Sequence, residues 1–281
     1  MSIYLAQVLD LPTYIINAGL SAIILGLISG VIGTYIVLRK MSLMSDALSH
    51  AVMPGVAISY MLGINMLVGA SLFGILAAIL IQFISEKSHL KSDTAIGIIL
   101  SSFFALGIIL ITQAQSGMDL NHVLFGNILA VPSSEVTQSL IVLLAVIAIV
   151  ALFYKELLIS SFDPIVSKAF GLKTGFYHYL IMLMLSIVTV SSLSQVGIVL
   201  VIAMLVIPAA TAYLWTNKVL HMMLFASFIG AVMGVIGTYI SFSYNLPTSA
   251  TIVLLGAFIF VIGFLSSPKN NFFRKENKYE N

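Results

Sequence analysis

The chain has 281 residues, 60% of them hydrophobic and only 8% charged, with 12 Lys and Arg against 10 Asp and Glu and a mean hydropathy of +1.13. That little polar surface cannot cover a water-soluble globule, so the protein is read as integral to a membrane, and no nucleic-acid partner is expected. The absence of cysteine removes disulfides, thiolate metal ligands and iron–sulfur chemistry.

Apolar stretches of about 20 residues match a hydrocarbon core of ~30 Å at ~1.5 Å per helical residue, and backbone polar groups do not go unpaired in lipid. The fold class is therefore all-α, a polytopic transmembrane helical bundle. Candidate spans fall near 14–38, 44–62, 64–84, 93–113, 134–153, 176–194, 197–216, 219–243 and 249–266, giving about eight or nine crossings because the second may count as a half-helix. No Lys or Arg precedes the first span, so it lacks the basic n-region of a cleavable signal peptide and is expected to remain. The second span opens with SDALSH and carries Pro54-Gly55 near its middle. A proline inside a membrane helix frees a carbonyl and invites a kink, tolerated where the helix lines a cavity or is buried in protein, so this helix is expected to face inward.

Every Lys and Arg falls in one of five places: Arg39/Lys40, Lys87/Lys91, Lys155/Lys168/Lys173, Lys218, and Lys269/Arg274/Lys275/Lys278. These are every second boundary, which predicts a cytoplasmic location for them, an external N-terminus and an internal C-terminus. The stretch LNHVLFGNILAVP (120–132) is too short to span and reads as an external short helix or re-entrant segment. The longest internal connection is 155–175. In it Ser161 or Asp163 stands where a helix cap is needed, Pro164 at the first turn and Gly171 where the helix would end. In the seventh span Pro208 is expected to break the helix, followed by small residues and by Thr211, the one evident polar group there. Residues 1–266 read as one transmembrane domain and 267–281 as a short polar tail.

Within the second span Asp46 and His50 are four apart, on one helical face with Cβ atoms about 5–6 Å apart. A carboxylate and an imidazole so placed can chelate one divalent cation, and their oxygen and nitrogen suit manganese, iron or zinc better than copper(I). Ionisable groups inside a membrane segment are costly and mark ion pathways. The same position also puts a carboxylate near the positive end of a helix dipole, so spacing alone does not choose between the two readings. One Asp and one His make half a coordination sphere; a two-fold dimer with this helix at its axis supplies the other half. Asp119, His122 and Glu135 lie on the face without basic residues and read more readily as loop or interface groups than as ligands. His178 and His221 open spans in structural positions, and His89 belongs to a basic loop. The 13 Met residues, Met41 and Met44 among them, read as apolar filling.

Five blocks carry a family resemblance: VLRKMSLMSDALSHAVMPGVAISYMLG (37–63), KSDTAIGIILSSFFALGIIL (91–110), LFGNILAV (124–131), SFDPIVSKAFGL (161–172) and VGIVLVIAMLVIPAATAYL (196–214). In collinear order they resemble the manganese, zinc and iron-chelate permeases of the ATP-binding-cassette importers, the ABC-3 family, and most nearly the manganese-uptake permeases of Gram-positive bacteria. The resemblance implies a homodimeric permease in the bacterial cell membrane, a cytoplasmic ATPase on each copy that binds the ATP, and an extracellular metal-delivering lipoprotein. It implies Mn(II) as cargo, with Zn(II) or Fe(II) as alternatives, and no permanently bound cofactor. Asp46 and His50 fall on the family's pathway ligands. Ser161, Phe162, Asp163, Pro164, Lys168, Ala169 and Gly171 fall on the coupling helix that meets the ATPase, and Pro54, Pro208 and Thr211 on pathway or gating positions. No G-x-x-x-x-G-K-[ST] loop occurs in the chain, so an ATP-driven cycle requires a partner. The rival from another class is an ion-coupled transporter or channel working alone, which more often shows paired broken helices in internal repeats.

Overall fold

The computed structural model describes residues 12–88, 90–113, 126 and 128–269, and every described regular element is helical. In chain order these are α1 (Thr13–Leu38), α2 (Ser42–Ala51), α3 (Met53–Leu62), α4 (Met66–Lys87), α5 (Ser92–Gln113), a 3-10 turn (Ile128–Ala130), α6 (Ser133–Leu152), α7 (Tyr154–Phe162), α8 (Pro164–Ala169), α9 (Thr174–Trp215), α10 (Val219–Tyr244) and α11 (Thr248–Leu265). Seven of these are long and apolar enough to cross a membrane, and α2 with α3 makes a further composite crossing.

The 42 residues of α9 are two crossings, because the backbone at Gly197 (φ 75, ψ 169) leaves the helical region altogether. Contacts on either side establish the reversal. Near the start of α9, His178 lies 3.0 Å from Arg39 at the end of α1. Before the break, Gln195 donates to Ser139 and to the Glu135 carbonyl in the first turns of α6, and Ser249 in the first turn of α11 donates to the Val196 carbonyl at 3.0 Å. Beyond it, Ala209 meets Gly33 in the second half of α1, and the Trp215 indole donates to the Gly263 carbonyl at the end of α11. The chain thus turns round on one residue. Glycine is required there, since no side chain tolerates that φ and ψ, and the backbone of Gly126 (φ 56) presses directly on Val196 and Gly197.

The expected break at Pro208 is corrected. The helix runs through it, with the ring buried and only Gly197 departing from helical geometry. The missing N–H leaves one carbonyl unpaired, a loss that surrounding protein accommodates in membrane helices.

All described basic residues gather at one end of the bundle, at the α1–α2, α4–α5, α6–α9 and α9–α10 junctions and after α11. Arg274, Lys275 and Lys278 of the tail, with Asp119, His122, His89 and most of 120–127, lie outside the described residues. The core follows α1, whose Ile28, Ile32, Tyr35 and Ile36 are almost wholly buried, and which lies backbone to backbone against α10 where Gly26 meets Gly230 and Gly30 meets Ser227. Small residues one turn apart are what let two membrane helices approach this closely.

α1 ends on Arg39, and the next residue, Lys40, takes the left-handed conformation (φ 57). Met41 N–H bonds the Ile36 carbonyl and Lys40 N–H the Val37 carbonyl, closing a Schellman turn with lysine where glycine is usual, at a conformational cost of about 1 kcal/mol. This three-residue elbow aims α2 back into the bundle.

Candidate functional site

α2 begins three residues after Arg39 and carries Asp46 one turn in and His50 two turns in. Its other face is the packing face: Met44, Ser45, Ala47, Leu48 and Ser49 are fully buried, which fixes the helix's rotation and leaves Asp46 and His50 on its open side. The His50 Nε2 stands 3.6 Å from Asp46 Oδ1, and the side chains are 21% and 41% exposed, respectively. That separation is too long for a hydrogen bond, but a single cation about 2.1 Å from each atom fits between them. Phe104 of α5 closes edge-on against the imidazole, with ring centroids 5.0 Å apart, and the buried Nδ1 has no hydrogen-bond partner among the described residues. The imidazole is thus held by packing with Nε2 turned to the carboxylate.

One turn beyond His50 the helix is interrupted. Pro54 has no N–H to offer the His50 carbonyl, and regular helical pairing resumes only with α3. Val52 nonetheless stays near helical geometry (φ −78, ψ −15), so the direction of the crossing is kept. The interruption is also tightly surrounded: Gly55 abuts the Gly69 backbone of α4, and Gly107 of α5 abuts Met53 and Pro54.

Among the described residues no three His, Cys, Asp or Glu side chains converge on one point, so the described part of a single copy offers two such ligands there. Of the other positions singled out in the sequence, Pro54 adjoins the pair. Pro208 and Thr211 lie on the returning arm of α9, where Thr211 bonds back to the Ile207 carbonyl at 2.8 Å and its methyl meets Gly263 of α11. Glu135 accepts from Ser194 at 3.2 Å, at the opposite end of the bundle from the lysines.

The segment 155–175 holds two helices where one was expected, α7 having no obvious cap in the sequence. Asp163, not Ser161, caps α8, accepting from the N–H groups of Ile165 and Val166 at 2.9 Å each. Ser161 instead closes α7, bonding the Leu157 carbonyl and accepting from Arg39. Pro164 is at the first position of α8, and Gly171 (φ 75) follows its end. Sequence reasoning missed the most prominent groups here: Ile165 is 80% exposed and Phe170 74%, so with Phe162 and Ala169 the segment offers an apolar knob, with Lys168 beside it, at the basic end. Exposed large apolar residues on a capped two-turn helix were the available signal.

Comparison with known proteins places this geometry among transporters. A family model, the ABC 3 transport family, matches residues 12–267. The manganese transport system membrane protein MntC of Listeria monocytogenes is 55% identical over 257 residues, 92% of each chain. The manganese import system permease protein ScaB of Streptococcus gordonii is 48% identical over 262 residues, 93% of this chain and 94% of that one. The solved structure of PsaBC from Streptococcus pneumoniae in complex with Fab superposes with a TM-score of 0.87 at 46% identity, covering 98% of this chain and 99% of that chain.

Proposed function

The chain belongs to the ABC 3 transport family, and from that premise we propose that it is the membrane-spanning permease subunit of an ATP-driven importer of a divalent transition metal, manganese first. It is a multi-pass membrane protein and a transport subunit, not an enzyme. The observation that carries the proposal is the Asp46/His50 pair: a carboxylate oxygen and an imidazole nitrogen 3.6 Å apart, facing out of the chain beside a proline break.

A second copy across a two-fold axis adds another Asp46 and His50. Four ligands with two negative charges neutralise a dication, and water completes its coordination. Such a site holds cargo loosely enough to release it. Manganese comes first because MntC and ScaB are named for manganese; zinc and ferrous iron suit the same oxygen and nitrogen donors.

The basic end is assigned to the cytoplasm, with the N-terminus outside and residues 1–266 forming one membrane domain before the tail 267–281. There α8 and its flanks, residues 161–171, dock in a separate ATPase that supplies the nucleotide chemistry. A metal-delivering lipoprotein meets the opposite face. Movement of the docked helix opens and closes the crossing that holds Asp46 and His50.

The test is uptake of radiolabelled manganese into vesicles carrying this chain with and without its ATPase, with zinc and iron as competitors. Uptake is expected to need the ATPase and to fall by at least about tenfold in both Asp46→Ala and His50→Ala, since each substitution removes two of the four ligands of the two-fold site. Uptake without the ATPase defeats the importer reading. ATPase-dependent uptake untouched by either substitution returns the pair to a structural role.

A further inference from the structure

Arg39 stands at the elbow between α1 and α2, and its guanidinium is enclosed by groups more than 120 residues away. Its Nε donates to Ser161 Oγ at 2.9 Å, one terminal nitrogen donates to Ser160 Oγ at 2.8 Å, and the other lies 3.0 Å from His178 Nδ1. Burial pulls the guanidinium down to about 10, which leaves it charged at neutral pH. No carboxylate is among these partners. The fork is thus held by directional bonds to neutral groups on α7 and α9, a joint that fixes geometry without fusing the helices in an ion pair.

The chain distances on either side are short. Ser161 is two residues before Asp163, the cap of α8, and Arg39 is seven residues before Asp46. α7 packs against α1, α6, α8 and α9, and neither α7 nor α8 forms an extensive face with α2. A cavity of about 370 Å³ opens at the elbow, bounded by Arg39 and its partners Ser160, Ser161 and His178, by Met44, and by Asp93 at the start of α5. The elbow and the first turn of α2 therefore border open space that the partners of Arg39 also line, which leaves room for the joint to move.

We propose that Arg39 is a positioning residue for transport, transmitting displacement of the α7–α8 segment through Ser160 and Ser161 to the elbow and so to the metal-bearing helix α2. The proposal rests on the importer reading above and adds to it a specific linkage. Arginine suits the place because its planar fork engages three partners at once; a lysine reaches it as a single point charge.

The experiment uses the chain assembled with its ATPase in proteoliposomes, with Mn(II) as the probe. Because the chain has no cysteine, Leu43→Cys, one turn before Asp46 and 55% exposed in the original leucine, serves as a background-free reporter of α2 through its rate of maleimide labelling with and without trapped nucleotide. In Arg39→Ala, ATP hydrolysis is expected to stay within about twofold, uptake to fall at least about tenfold, and the nucleotide-dependent change in labelling to vanish. Arg39→Lys is expected to recover part of the uptake. Unchanged uptake overturns the proposal, as does a proportional fall in hydrolysis and uptake with the labelling change intact. If Arg39→Ala fails to assemble, the Ser160→Ala/Ser161→Ala double variant carries the same readouts, and wild-type behaviour in it overturns the proposal. A wild-type complex that does not import manganese defeats the importer reading instead.

Discussion

The α2–α3 crossing and the α9 hairpin are both interrupted, one by proline and the other by glycine, and only the glycine turns the chain round. At Pro54 one donor is lost, Val52 keeps near-helical angles and α3 continues in the same sense. At Gly197 one residue with φ 75 and ψ 169 reverses the path. Pro208, on the second arm of that hairpin, interrupts nothing visible in the backbone. The difference lies in the neighbours. Pro54 is pressed by Gly107 and followed by Gly55, which meets Gly69, whereas Pro208 is followed by Ala209, which packs into the space over Gly33. A proline marks where a carbonyl is released; the packing around it decides whether the helix opens.

Substitutions at these three positions separate the cases. The largest effect is expected from Gly197→Ala, which forces a side chain into a conformation reserved for glycine at a cost of about 1–3 kcal/mol, before the contact with Gly126 is counted. A clear fall in the thermal unfolding midpoint in detergent is the expected result, and wild-type stability would show that the turn relaxes. Pro54→Ala comes next and acts on function: the variant regains a donor for the His50 carbonyl, is expected to be at least as stable as wild type, and to slow metal uptake by about threefold or more as the interruption beside His50 closes. Loss of stability in this variant would mean that the kink is a packing requirement. Pro208→Ala should do least, gaining one hydrogen bond worth about 0.5–1.5 kcal/mol with uptake unchanged; a transport defect would instead support Pro208 as a gating residue.

The legible parts of this molecule were the local ones. Apolar length found the crossings, and the four-residue spacing placed Asp46 and His50 on one face before any tertiary contact was known. Asp163, Pro164 and Gly171 marked α8 for the same reason, since caps and turns are written within a few residues. Apolar length placed the break between 194 and 197, but Gly197 itself was not distinguishable as the turning residue in SQVGIVLV, because a glycine between β-branched residues has no turn signature and its surroundings, Gly126 and Ser249, come from other parts of the chain. Arg39 read simply as a boundary charge; its partners at 160, 161 and 178 come together only through folding. α7 was missed because YKELLISSF has neither a cap nor a long apolar run, and its single fully buried anchor, Leu157, cannot be told from its neighbours by pattern.

The one-residue turn at Gly197 bears on where this protein can be lengthened. Turns between helices ordinarily accept tags and insertions because they stand in solvent with slack on both sides. Here the turning residue is itself buried, its preceding carbonyl is taken by Ser249, and Gly126 lies over it. An epitope or fluorophore belongs at the 63–65 or 245–247 connections, where left-handed Gly63 and Asn245 close helices at exposed ends, and the join between the sixth and seventh crossings is a place where the chain has no spare length at all.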